Sequence, residues 1–141
     1  MGNINVGRWI VGGVVAAIVL FVVDFVVNGM ILEGQWTAAM TALNKPAMAP
    51  STGQLIMIAV LNLLVGLTAL WIYVGIRPRF GAGATTAVYA GLATWVVGYL
   101  VPNAFMIAFG LLPAGLMVTL IVVGVIQVPV ATVAGAYFYQ E

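Results

Sequence analysis

The chain has 141 residues, no histidine, no cysteine, 5% charged side chains, a net charge of +1 and a mean hydropathy of +1.22. Soluble domains carry about 25% charged residues, so this composition belongs to an integral membrane protein of one domain, with no room for a separate soluble module. It excludes Ser–His and Cys–His nucleophiles, disulfides, and the usual ligands of haem, zinc and copper, and its four dispersed cations cannot track nucleic-acid phosphates.

The first apolar run, Trp9–Leu32, is longer than the about 20 residues that cross a bilayer, and too long for a signal-peptide core, so it reads as a retained first span. Asp24 and Asn28 lie inside it. A carboxylate at that depth is costly and marks a site by default.

Next comes the longest connection, Glu33 to Gln54, in which Trp36, Ala39, Met40 and Leu43 fall on one helical face. That spacing predicts a short amphipathic helix lying flat in the interface, Trp36 and Met40 inward, ended by Lys45-Pro46. Ser51 to Gln54 has capping-box spacing and should open the second span, Leu55–Ile76. That span should end before Arg77-Pro78-Arg79, because proline disfavours helix at the residue before it. The third span is expected over Thr86–Phe109 and the fourth over Ala114–Tyr139, joined by the uncharged turn Gly110–Gly115. Pro102 and Pro129 each free a carbonyl one turn earlier, which can bend the helix or offer a ligand atom. Lipid requires satisfied backbones, so all four runs are helices and the fold class is an all-α membrane four-helix bundle.

Small residues line each span. Gly13 and Ala17 run with Asp24 and Asn28 on the first, and Asn62 and Gly66 run together on the second. Gly91, Thr94, Gly98 and Pro102 align on the third, and Gly124, Gln127, Ala131 and Gly135 on the fourth. Such stripes let helix backbones approach and polar side chains bond across, so they are the expected helix contacts. At a rise of 1.5 Å per residue, Asp24, Asn62 and Asn103 lie roughly 10–12 Å below one end of their spans, with Gln127 nearer the middle. A polar layer is therefore expected in the outer half. Asn28, Asn62, Asn103 and Gln127 join Asp24 as candidate site residues, although Asn103 falls off its stripe, which leaves a neighbouring chain or lipid headgroups as its alternative surroundings. Asp24 is expected to face the interior, near Asn28 and Asn62, as an ion, proton or cationic-ligand site. The plainer reading makes it a neutral acid bonded to Asn62, Tyr99 or a carbonyl. Lys45, dipping inward, is a further candidate partner. Glu33 and Arg8 read as interfacial anchors, and Trp95 as bundle core. Arg8, Arg77 and Arg79 against Lys45 place both termini in the cytoplasm, in a bacterial inner membrane.

The segments Gly12–Ala16, Asp24–Gly29, Gln35-Trp36, Ala39-Met40, Tyr73–Gly81 and Gly91–Tyr99 resemble a family of small bacterial four-span membrane proteins. That resemblance covers nearly the whole chain. It implies a four-helix fold and no assigned activity, and it transfers no functional residue.

Three functions compete at this stage. The first is a non-catalytic accessory or assembly subunit, or a self-associating bundle, since the glycine and alanine content exceeds what one four-helix core needs. A homo-oligomer or larger membrane complex follows from it. The second is a small proton- or cation-coupled transporter or channel using Asp24. The third is a lipid or pigment binder with Trp95 and Tyr99 in a crevice. No catalytic or metal-ligating set is expected, and no cofactor is indicated.

Overall fold

A computed structural model describes residues 4–45 and 50–139. The described residues form helices joined by short turns, with no strand among them. Helix α1 (Val6–Val26) passes directly into a π-helical turn, Val27–Ile31, and α2 (Glu33–Ala42) follows. Helix α3 (Thr52–Phe80) is the longest. Helix α4 (Ala84–Trp95), a second π-helical turn (Val96–Leu100) and α5 (Val101–Ala108) form one continuous rod, and α6 (Ala114–Tyr137) closes the bundle. Four rods, Val6–Ile31, Thr52–Phe80, Ala84–Ala108 and Ala114–Tyr137, are long and apolar enough to cross a membrane, which fits a multi-pass membrane protein. They form a ring in chain order. Helix α1 packs on α3, α3 on α4, α4 on α6, and α6 back on α1.

The ends of these rods follow from local chemistry. Asn5 caps α1, its side-chain oxygen accepting from the Arg8 amide at 3.1 Å. Ser51 and Gln54 form the reciprocal capping box, with the Ser51 amide donating to Gln54 at 2.8 Å. Helix α2 does not run to Lys45-Pro46. It stops at Ala42 because Asn44 turns left-handed (φ 54°), and the Asn44 and Lys45 amides close back on Thr41 and Met40. Pro46 lies outside the described residues. Gly110 (φ 64°) ends α5 with the same pair of bonds, to Ile107 and Met106. Both are Schellman turns, which satisfy the last carbonyls of a helix and need a residue tolerant of positive φ.

The expected stop before Arg77-Pro78-Arg79 is overturned: α3 runs on to Phe80 with Pro78 inside it. A proline there removes one bond, in the last turn, where little helix remains to disrupt. The turn is held in other ways. The Gly81 amide donates to the Arg77 carbonyl at 2.8 Å, and the Thr86 hydroxyl donates to the Gly81 carbonyl at 2.8 Å. The Arg77 guanidinium lies over the Tyr139 ring, 5.3 Å from its centre. At 29 residues, α3 is about 43 Å long, more than the roughly 30 Å hydrocarbon layer, so its arginine end reaches past the lipid tails.

Close backbone approach holds the middle of the bundle. A Cβ on Gly66 would stand 2.5 Å from the Gly13 carbonyl oxygen and 2.8 Å from the Ala17 nitrogen. One on Gly91 would stand 2.5 Å from the Pro129 Cα. Gly12 and Gly135 meet backbone to backbone, each in the space a Cβ would fill. Around these contacts Ala16, Leu20, Leu70, Ala87, Ala90 and Val128 are wholly buried. Two indoles add cross-ties, Trp9 to the Leu67 carbonyl and Trp95 to the Ile121 carbonyl, each at 2.9 Å. A helical carbonyl keeps a second lone pair for such a bond.

A smaller apolar cluster holds α2 against the bundle. Leu32 and Ala39 are buried with Leu116 and Met117, and Trp36 packs beside them. Met40 is half-buried, whereas Leu43, expected on the same face, is exposed.

Candidate functional site: a polar crevice at one end of the bundle

The bundle is closed at one end and open at the other. A cavity of about 500 Å³ lies at the α2 end, and residues from α1, α2, α3, α5, α6 and both π-helical turns line it. That volume is in the range of small-molecule sites, about 300–1,000 Å³. Its polar wall carries Asp24, Asn28, Glu33, Tyr99, Asn103 and Gln127. Its apolar wall includes Phe21, Phe25, Trp36, Leu55 and Ile58.

Asp24 and Gln127 form the floor. Gln127 is 5% exposed, and its Nε2 donates to Asp24 Oδ1 at 2.8 Å and to the Leu20 carbonyl at 3.2 Å. Both amide hydrogens are thus engaged, and the amide fixes the rotamer of the carboxyl. Asn62, buried in α3, donates to its own Ile58 carbonyl at 3.2 Å. Asn62, expected beside Asp24, does not line the cavity. Asn28 does line it, but its bonds go elsewhere: Nδ2 donates to the Asp24 backbone carbonyl at 3.2 Å, and Oδ1 accepts from the Trp36 indole at 3.0 Å. Asn28 fastens α2 over the crevice.

Asn103 is not turned to a neighbouring chain or to headgroups, as its spacing implied. It is half-buried, donates to the Tyr99 carbonyl at 2.8 Å and lines the crevice. Gly98 needs the matching correction. It is exposed, no atom lies within 4 Å of the Cβ it lacks, and it too faces the crevice. Both displacements have one cause. The π-helical turn Val96–Leu100 fits an extra residue into the rod, and one residue is worth about 100° of rotation. A stripe drawn at α-helical spacing through Gly91 and Thr94 therefore loses register at Gly98.

The other small residues singled out from sequence sit between helices. Gly13 and Ala17 meet Gly66 and Leu67, Gly91 meets Pro129, and Gly124 meets Trp95 and Tyr99. Ala131 is buried in the main core, and Gly135 meets Gly12.

Sequence reasoning read Glu33 as an anchor, yet it stands exposed on the crevice wall. Lys45 does not dip inward; it is exposed and absent from the lining. Phe21, Phe25 and Gly29 were passed over, and only the Asn28-Gly29 pair hinted at a local departure from α-helix. Among the described residues, no three His, Cys, Asp or Glu side chains gather as a metal site. No protein-family model, no curated protein and no solved structure matches the chain.

Proposed function

We propose that this is a non-catalytic, multi-pass membrane protein that holds a small amphipathic ligand in the crevice above Asp24. The observation that carries the reading is the carboxyl of Asp24, pinned by Gln127 at the floor of a ligand-sized cavity flanked by two π-helical turns. π-Helical turns are rare and recur at functional sites. Here one on each side of the crevice carries lining residues, Val27 to Gly29 and Gly98-Tyr99. The aromatic and aliphatic wall suits an apolar body, and the floor suits a hydrogen-bonding head.

Packing favours a binder over a channel. Below Asp24, the side chains of Leu20 and Val128 and, at the level of Gly12 and Gly135, that of Leu70 are wholly buried. The Gly66–Gly13 and Gly12–Gly135 contacts then seal the bundle as far as Gly12, 12 residues or about 18 Å from Asp24. The hydroxyls buried between α4 and α6, Thr94 and Thr132, are each spent on a carbonyl of their own helix. Packing also weakens the accessory-subunit reading. Its argument was surplus small surface, but Gly12, Gly13, Gly66, Gly91, Gly124 and Gly135 are all engaged inside the chain.

Arg8, Arg77 and Arg79 lie at the closed end and Lys45 beyond the crevice. By the positive-inside rule both termini are cytoplasmic, with the crevice and an interfacial α2 on the outer side of what we take to be a bacterial inner membrane.

The chain lacks cysteine, so a single Gly98→Cys probe reports on the crevice directly. Alkylation at position 98 should be slow in native membranes, where the resident ligand shields it, and fast after delipidation in detergent. Equal rates in both states argue against a resident ligand.

A further inference from the structure

The crevice has a charge sign as well as a shape. Two carboxylates line it, Asp24 at the floor and Glu33 on the exposed wall. Neither lysine nor arginine lines it among the described residues; Lys45 is exposed elsewhere, and Arg8, Arg77 and Arg79 belong to the opposite end. The site therefore offers two acidic side chains and no cationic side chain to pair with them. Four of its other lining residues are aromatic: Phe21, Phe25, Trp36 and Tyr99. Aromatic faces attract cations through the ring quadrupole, most strongly where water is displaced, and rings beside carboxylates recognise quaternary and primary ammonium groups. A metal ion is a poor match, because it wants several oxygen ligands and gains nothing from four rings. An anion would meet Asp24 at the floor. A neutral lipid tail would leave the carboxylate and the Asn103 amide facing hydrocarbon.

We infer that the crevice binds an organic ammonium ion, its charged head on Asp24 among the rings of Phe21, Phe25, Trp36 and Tyr99, and its apolar body toward Leu55 and Ile58. The inference rests on the ligand-binding reading above and adds the sign and class of the ligand. Gln127 has a specific part in it. By donating to Oδ1 it holds the carboxyl in one orientation, so the acid meets the ligand preorganised. Glu33, at the open side, draws the cation in. Ammonium heads come from two sources, free amines and the headgroup of phosphatidylethanolamine, and both present the same chemistry to Asp24.

The test uses the full chain in maltoside micelles, which contain no ammonium. Binding of benzyltrimethylammonium is compared with that of neopentylbenzene, which has the same shape without the charge, and with that of phosphatidylethanolamine. Benzyltrimethylammonium or phosphatidylethanolamine should bind, and neopentylbenzene should bind far more weakly. Whichever ammonium compound binds identifies the source as free amine or headgroup. Asp24→Asn should weaken that binding by about thirtyfold or more, as expected for loss of a buried charge partner. Glu33→Gln, on the exposed wall, should weaken it by about fivefold at most. Asp24→Asn still accepts a bond from Gln127, and its thermal unfolding should match wild type, so loss of binding is not loss of fold. Gly98→Trp fills the cavity and should abolish binding with Asp24 intact. Two results overturn the inference: neopentylbenzene binding as tightly as the cation in both wild type and Asp24→Asn, or neither ammonium compound binding wild type. The first leaves the ligand-binding reading standing, because the crevice is then occupied by a neutral molecule.

Discussion

Two glycines on one rod, seven residues apart, should respond oppositely to the same substitution. Gly91 and Gly98 share a stripe at α-helical spacing, but the π-helical turn between them separates their surroundings. A Cβ on Gly91 would lie 2.5 Å from the Pro129 Cα and 2.9 Å from its nitrogen. Ordinary contact begins near 3.4 Å, so the α4 and α6 backbones would have to separate by about 0.9 Å. The obstructing atoms are backbone atoms of a proline inside a helix and cannot rotate away. Overpacking of this kind costs about 1–3 kcal/mol, and Gly91→Leu, with three more carbons to place, belongs at the upper end. The Cβ of Gly98 meets nothing within 4 Å, and a side chain there enters the crevice. Leucine also has the better helix propensity, by under about 1 kcal/mol, so Gly98→Leu should unfold no earlier than wild type. Detergent-titrated unfolding followed by circular dichroism measures both variants. If Gly98→Leu proves as damaging as Gly91→Leu, or Gly91→Leu is silent, the register change assigned to the π-helical turn is wrong.

Gln127→Leu removes the donor to Asp24 and to the Leu20 carbonyl and should destabilise by about 1–3 kcal/mol in the same unfolding assay; no loss would mean the Asp24 carboxyl finds another donor. Trp95→Phe keeps most of the ring packing but loses the bond to the Ile121 carbonyl, and should cost near the about 0.6 kcal/mol average for such bonds between membrane helices. Asn44→Val forces a β-branched residue to positive φ and should cost about 1–2 kcal/mol, whereas Asn44→Gly should be neutral, which thermal unfolding of the pair will separate. Single cysteines at 45 and 79 should label from the outer and the cytoplasmic side, respectively; the reverse pattern would invert the orientation drawn from the arginines.

The four spans were legible because membrane crossing sets a length and polarity that few other structures share, and the Ser51–Gln54 cap was legible because its chemistry is local. Most of the close contacts were legible too, since Gly13, Gly66, Gly91, Gly124 and Gly135 follow α-helical spacing in segments that remain α-helical. Errors gather where periodicity itself changes. Gly98 was misplaced by one inserted residue, the alternative that turned Asn103 to a neighbouring chain failed with it, and nothing in Val96–Leu100 announces a π-helical turn except Pro102 just beyond it. The end of α3 was misjudged for a different reason. Pro78 has a local preference against helix, but the Gly81, Thr86 and Tyr139 contacts that support the last turn come from residues later in the chain. Asp24 was found by its cost alone. Its partner Gln127 lies 103 residues away, and no local rule could choose among Asn62, Tyr99 and Gln127.

The most direct test of the account is native mass spectrometry of the chain released from mild detergent, wild type beside Gly98→Trp. A ligand in the crevice predicts a discrete added mass on the wild-type protein that survives gentle activation and is missing from Gly98→Trp, with both proteins folded. An added mass unchanged by filling the crevice, or a bare chain in both spectra, would contradict it.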